Sequence, residues 1–528
     1  MTRTVLAGGT VIDGTGAAAR IADVVIEDGL IVAIEEPGSC NTGAAVHDMI
    51  GMVLAPGFID AHSHADNAPL LQEPDLSKVL QGVTTEVVGN CGLSLAPRIP
   101  RNADTLESYL RHFFPESPWT GQSFSDFLAA TDDAGYIVNF APLVGHGPLR
   151  IASMGLDARE ATAQELRTMR SMLDEALDAG AIGMSSGLVY PPGRSSVTSE
   201  LVELAHSLHD RNAIYSSHIR SEGLERMGAV NEAVSVGREA KVRVEISHHK
   251  AMGAANWGQV RHSLELVEKA RVEGVDVRFD VYPYTASSTS LASCLPPRLL
   301  SLDDDTLLAQ LRDPHLVESL RLELERGDWD NHVAQAGGYQ GILVSSTETQ
   351  SFVGSTLDEL GRELGTDGAG ALVHVLVHER LRATMVCFAM DEADVEAALL
   401  DPFTCIGSDG LPAGMSGKPH PRQWGTFPRV LGRYVRERKL LSLESAVHKM
   451  TALPADTFRL SGVGTLAAGF AADIVAFNPD DVIDRATYTD SVLPPAGIRD
   501  VFISGVPVVA ESQFTGARVG RRLRAGIG

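Results

Sequence analysis

Between residues 53 and 409 the chain alternates short apolar runs with helical stretches, and no other feature constrains its fold as much. Eight runs read as strands: 53–60, 84–89, 138–145, 181–186, 213–218, 242–248, 276–283 and 403–409. Most lack a polar face, as expected of parallel strands buried on both sides. Helical spacing lies between several of them. Over 163–179, Leu166, Met169, Met172, Leu173, Ala176 and Leu177 recur at helical intervals, and 199–211 reads the same way. Eight such units fit a TIM (β/α)8 barrel, whose active sites lie at the C-terminal ends of the strands. A doubly wound open sheet is the structural alternative.

The two ends of the chain read differently. Residues 3–55 form β-branched runs broken at Asp13-Gly14 and Asp28-Gly29, and 472–477, 501–503 and 506–509 repeat the pattern. Segments 1–55 and 460–528 are therefore expected to pair into one small all-β domain beside a barrel spanning 56–459. The gap from 284 to 402 is too long for one strand–helix connection, and leucines recur at helical spacing over 300–311 and 316–324. Segment 286–340 is expected to be an insertion after strand seven, either a lid over the barrel mouth or a structural decoration.

A formal net charge of −24 argues against nucleic acid or an anionic membrane as a partner. The N-terminus has no apolar signal core, and no run is long enough to span a bilayer. Five cysteines (Cys40, Cys91, Cys294, Cys387, Cys405) without CxxC spacing predict reduced thiols and a cytoplasmic protein.

The strand ends carry the chemistry. Strand one ends at His62-Ser63-His64, and residues i and i+2 of a strand share a face. Strand two ends at Cys91, strand five at His218, strand six at His248 and strand eight at Asp409. Each residue has a plainer reading: Cys91 as a small buried hydrophobe, Asp409 as a helix cap. Six ligand-type residues on five strand ends point to a metal site at one barrel rim. Imidazoles with one thiolate and one carboxylate suit Zn²⁺, which fits a hydrolase of amides, imides or esters. Asp409 is the candidate to shuttle a proton from water to the leaving nitrogen. Lys250, two residues beyond His248, and Tyr282 in Asp280-Val281-Tyr282-Pro283-Tyr284 are candidates to hold a substrate carboxylate, against the alternative of a surface lysine and core tyrosines.

The segments PGFIDAHSHAD, GVTTEVVGNCG, SHIRSEG, SHHK, DVYPYTASST, IGSDG and HPRQWGTFPRVL together resemble the amidohydrolase superfamily, and within it the N-acyl-D-amino-acid deacylases. The likeness spans essentially residues 1 to 510, and Cys91 with SHHK and IGSDG is its specific part. The resemblance implies a TIM barrel plus a β-sandwich domain built from both termini, with an insertion after strand seven. It implies a tight zinc on Cys91, His218 and His248, and a weaker metal position lined by His62, His64 and Asp409, with Cys91 able to bridge. It implies Asp409 as general base and then acid, and Lys250, Tyr282, Ser288 and Tyr190 as the grip on the substrate carboxylate. The implied reaction is hydrolysis of N-acyl-D-amino acids with neutral or hydrophobic side chains. A related amidohydrolase acting on cyclic amides, D-dipeptides or acylated xenobiotics is the alternative. Strand four has no lysine to carry a metal-bridging carboxylate, which weakens hydantoinase-type and dihydroorotase-type readings. An acidic D-residue would need a further cation, for which Arg220, Arg422 and Lys418 are loop candidates.

Overall fold

A computed structural model describes residues 3–39, 44–114, 119–326, 329–412, 414 and 416–526; Cys40 lies outside them. Eight parallel strands run in chain order around a barrel: β1 (Phe58–Asp60), β2 (Val83–Val88), β3 (Asn139–Gly145), β4 (Gly183–Gly187), β5 (Ile214–His218), β6 (Val244–Ile246), β7 (Val277–Val281) and β8 (Thr404–Ile406). The ring closes between β8 and β1, where Ala61 N–H donates to the Ile406 carbonyl (3.3 Å) and Ser63 pairs with Gly410. The apolar run 53–60 is divided at Gly57. Val53–Pro56 belongs to the terminal sheet, and only Phe58–Asp60 enters the barrel.

Helices cover the outside of the barrel. The helix Ala163–Ala179 begins with a capping box between Thr162 and Glu165 and ends at Gly180 in the left-handed conformation. Its Met169, Leu173, Ala176 and Leu177 are buried against the strands. The lower barrel interior is filled by Ile59, Val87, Leu143, Ile182, Ile214 and Cys405. Leu523 joins this cluster because residues 520–525 bridge to Tyr136, Phe140 and Leu460. The end of the segment expected in the terminal domain therefore packs against the barrel.

Both termini share one nine-stranded sheet. Its central strand Val53–Pro56 lies between Arg3–Val11 and Ile474–Phe477. Alternation separates two cores. Leu54, Ile474, Ala476 and Phe502 face one cluster, while Val53, Ala55, Val475, Phe477, Val501 and Ile503 face the barrel.

Two excursions rise over the barrel mouth. The one after β7 continues past residue 340. Its antiparallel sheet joins Ser287–Ser290 and Ile342–Thr347 to the middle strand Ala383–Cys387. Leu295, Leu320, Ile342, Leu357 and Leu376 give it a core of its own. The other excursion, after β2, contains the helix Ala103–Arg111 and was not anticipated from sequence. The two meet where Ser108 Oγ donates to Asp304 Oδ2 (2.8 Å) and His112 Nε2 lies 3.0 Å from Asp304 Oδ1. Among the described residues no helix is long and apolar enough to cross a membrane.

Candidate active site

Each ligand-type residue follows a barrel strand by at most a few positions. His62 and His64 lie just beyond β1, Cys91 beyond β2, His218 at the end of β5, His248 beyond β6 and Asp409 beyond β8. All six are buried. Cys91, His248 and Asp409 have φ of +55°, +37° and +47°. A non-glycine residue pays about 1–3 kcal/mol for such a conformation, and it persists only where its surroundings enforce it. Packing at Cys91 is that close: a Cβ on Gly92 would stand 2.4 Å from the Gly187 nitrogen at the end of β4.

Cys91 Sγ lies 3.3 Å from His62 Nε2 and 3.2 Å from His248 Nε2. One ligand atom from each of His62, Cys91, His248 and Asp409 falls within 4.8 Å of all the others. His64 Nε2 adds a contact of 3.2 Å to Asp409 Oδ1. His218, His248 and Glu222 form a second such group, sharing His248 with the first. Two imidazoles, a thiol and a carboxylate converging in a buried space are a donor set suited to zinc. Among the described residues, buried His218 Nδ1 has no hydrogen-bond partner, so a nitrogen is left over that an ion could satisfy.

A second layer orients these groups. Asp280 at the end of β7 lies 2.9 Å from His62 Nδ1, which directs Nε2 towards Cys91. Burial raises Asp280 to about 7. Glu222 Oε1 lies 3.1 Å from His248 Nδ1 and pairs with the Lys250 ammonium. Asp60 binds Ser408 through its backbone N–H (2.8 Å) and its hydroxyl (2.6 Å), tying β1 to β8.

Charge is distributed unevenly over the site. Burial would raise Asp409, but the Arg422 guanidinium, with His248, His64 and His62, carries it well below the usual carboxylate range. Arg422 Nη1 lies 2.8 Å from Asp409 Oδ2. Burial pushes the Cys91 thiol well up, and Asp409 adds to this. Burial and then Lys250 lower His248 to about 4, so its imidazole is neutral, the form a metal ligand needs.

The expected substrate residues Lys250, Tyr282, Ser288 and Tyr190 all line one cavity with His64, Cys91, His218 and Asp409. Their engagement varies. Lys250 is held by Glu222. The Tyr282 ring lies under Arg422 (4.7 Å) and Lys250 (5.6 Å), and its hydroxyl donates to Met390 Sδ (3.7 Å). Tyr190 Oη is 3.1 Å from Thr289 Oγ1. Ser288 Oγ is buried and, among the described residues, unpartnered. Of the three loop cations, Arg422 is buried behind Asp409, and Arg220 is turned to Glu232 (2.9 Å). Lys418 is not among the residues lining the cavity. Sequence reasoning assigned no role to Glu222 or Asp280. Asp280 sits at a strand end like the ligands, and Glu222 follows His218 by four residues, so position alone could have flagged both.

The amidohydrolase family matches residues 45–281 and 329–509. The chain belongs to that family. A D-aminoacylase from Alcaligenes xylosoxydans xylosoxydans is 39% identical over 98% of this chain and 96% of its own length. An N-acyl-D-glutamate deacylase from Bordetella bronchiseptica, solved with zinc and a phosphonate mimic of the tetrahedral intermediate, superposes with a TM-score of 0.83 at 36% identity and 99% coverage of both chains. A D-aminoacylase structure describing a binuclear metal centre, with activation by one metal and attenuation by the second, also has a TM-score of 0.83, at 37% identity and 99% coverage of both chains. Within the family, this amidohydrolase falls in the D-aminoacylase branch, and its His62, Cys91, His248 and Asp409 are a donor set that fits zinc.

Proposed function

We propose that this amidohydrolase hydrolyses the amide bond of N-acyl-D-amino acids, preferring neutral or hydrophobic side chains, to release a carboxylate and a free D-amino acid. The observation that carries this reading is the buried convergence of His62, Cys91, His248 and Asp409 beside a cavity lined by Lys250, Tyr282 and Ser288. Cys91, His218 and His248 would hold the tight zinc, and His62, His64 and Asp409 would line a weaker position. When bound, zinc supplies polarisation of the acyl carbonyl and acidification of water.

Asp409 handles the proton. Arg422 holds its Oδ2 and keeps the carboxylate ionised, while Oδ1 faces His64 at 3.2 Å and His62 at 3.6 Å. Oδ1 takes a proton from the attacking water and returns it to the amine nitrogen as the C–N bond breaks. Ser288, Tyr282 and Lys250 orient the substrate through its α-carboxylate, and Tyr190 contacts the substrate from the β4 side of the cavity. Among the described residues that line the cavity Lys250 is the one lysine or arginine, and it serves the α-carboxylate, so a carboxylate on the D-side chain finds no second cation there. Leu93, Val189 and Leu411 supply apolar wall instead. Four buried free thiols (Cys91, Cys294, Cys387, Cys405) support placing the protein in a reducing compartment, as in the cytoplasm.

The test is a panel of N-acetyl-D- and N-acetyl-L-amino acids, with zinc analysis of the same sample. Neutral D-substrates should exceed their L-enantiomers and the D-aspartyl and D-glutamyl compounds in kcat/KM by roughly 100-fold. Preference for L-compounds would refute the reaction assignment. Preference for the acidic D-compounds would refute the side-chain assignment alone.

A further inference from the structure

A second cavity opens off the catalytic one. It lies between the helix Ala103–Arg111 of the β2–β3 excursion and the helices Pro297–Leu300 and Asp304–Leu311 of the β7–β8 excursion. It offers about 180 Å³ of space to water-sized groups. Its walls include Tyr109, Leu156, Pro191, Ala292, Leu300 and Leu307. It is continuous with the catalytic cavity, since His112, Phe113, Tyr190 and Ser290 line both. Aromatic rings mark the route. The metal-site residue His218 meets Tyr190 edge-on at 5.1 Å, Tyr190 meets Phe113 at 5.8 Å, and Phe113 meets Tyr109 at 5.6 Å.

The charges of this cavity disfavour the carboxylate end of the substrate, leaving the cavity to an apolar tail. Asp303 and Asp304 lie on its lining, and its histidine, His112, is bonded to Asp304. The groups suited to the substrate carboxylate stand elsewhere: Lys250 after β6, and Tyr282 and Ser288 after β7. Tyr190 follows β4, which stands across the eight-stranded ring from β8. In an N-acyl amino acid the hydrocarbon of the acyl group leaves the scissile carbonyl on the side away from the α-carbon and its carboxylate. A substrate anchored near β6 to β8 thus sends its acyl chain towards Tyr190 and the second cavity.

We propose that this cavity receives the acyl chain, and that the enzyme acts preferentially on N-acyl-D-amino acids whose apolar acyl group is much longer than acetyl. The proposal rests on the deacylase reading above and adds the acyl half of the substrate to it. Burial of each further methylene should raise kcat/KM by about fourfold until the chain reaches the solvent end.

The experiment compares N-acetyl-, N-butyryl-, N-hexanoyl- and N-octanoyl-D-leucine with the zinc-loaded enzyme, and measures octanoate binding by calorimetry. Wild-type kcat/KM should rise along the series. Leu300→Trp, at a half-buried wall position, and Leu307→Phe should flatten the rise while leaving N-acetyl-D-leucine within about twofold. Leu300→Trp should also weaken octanoate about tenfold. A flat or falling wild-type series overturns the proposal, as does equal loss on acetyl and octanoyl substrates in both variants. Variants that blunt the response to side-chain length instead would assign the cavity to the D-side chain and overturn it too. Octanoate bound at this cavity without hydrolysis of any member would remove the deacylase reading and keep the channel, whereas absence of both would end both.

Discussion

The floor of the site and the roof over it are built by different rules. On the floor, six ligand-type residues leave five strands of one ring, so a few backbone turns bring them together. On the roof, residues from the β2–β3 and β7–β8 excursions meet through contacts such as Asp304 with Ser108 and His112, separated by 192 to 196 positions in the chain. The floor is buried and carries left-handed residues at Cys91, His248 and Asp409. Asp304 on the roof is more than a third exposed. Chemistry that needs fixed geometry is therefore placed where the barrel enforces it. Selection of the substrate's outer parts falls to elements that can vary without disturbing the ring.

Substitutions can break this contrast. The largest effect is expected on the floor. Asp409→Asn should cost roughly 10³-fold in kcat with zinc retained, because the proton carrier is lost while the Arg422 side keeps a polar partner. Turnover within tenfold of wild type would show that another group carries the proton. Cys91→Ala should lose tight zinc and turnover together, read by metal analysis after dialysis.

The wall of the barrel gives the next largest effect. Glu200 is buried, accepts from Arg150 Nη1 (2.6 Å to each oxygen) and lies 2.8 Å from His146 Nε2. Burial would raise it, but His146 and Arg150 bring it to about 2. A carboxylate lowered in the folded state stabilises the fold above its unfolded pKa of roughly 4.3, and this is lost as pH falls through the folded value. Its contribution at neutral pH is about 3 kcal/mol. Glu200→Gln should therefore begin acid unfolding at a higher pH than wild type, with the difference gone near pH 2. Coincident acid-unfolding curves would show that the triad adds nothing to stability.

Glu222→Gln tests the layer beneath the ligands. It removes the charge facing both His248 Nδ1 and Lys250, and should cost 10- to 100-fold in zinc affinity or activity, measured by chelator competition. The smallest effect is expected on the roof. Asp304→Ala breaks two partly exposed contacts and should lower stability by about 1 kcal/mol or less, with N-acetyl substrates turned over within twofold. A tenfold loss of activity there would abolish the contrast between floor and roof.

The floor was legible because barrel strands advertise themselves as short buried apolar runs, and their C-terminal ends are where ligands gather. All eight runs correspond to barrel strands, although the first also contributes a strand to the terminal sheet. The partition of the ligands was less legible. The structure groups His62 with Cys91, His248 and Asp409, and sets His218 with His248 and Glu222. Strand-end position cannot tell which imidazole nitrogen faces which neighbour. Arg422 was visible as a cation in HPRQWG, but its pairing with Asp409 depends on a loop folding back under the site. The helix Ala103–Arg111 escaped notice because nothing in its local pattern reports that it stands over the barrel mouth.

Local sequence, through hydrophobic period and residue type at strand ends, determined the barrel and the ring of ligand-type residues, Asp409 among them. Those properties depend on contacts within a few residues and on the fixed geometry of parallel strands. Tertiary structure alone decided that Arg422 pairs with Asp409, that Glu222 pairs with Lys250, and that two excursions line a second cavity. Each depends on groups from distant segments meeting in a low-dielectric interior, where charge pairing and shape are set by the packing of the whole chain.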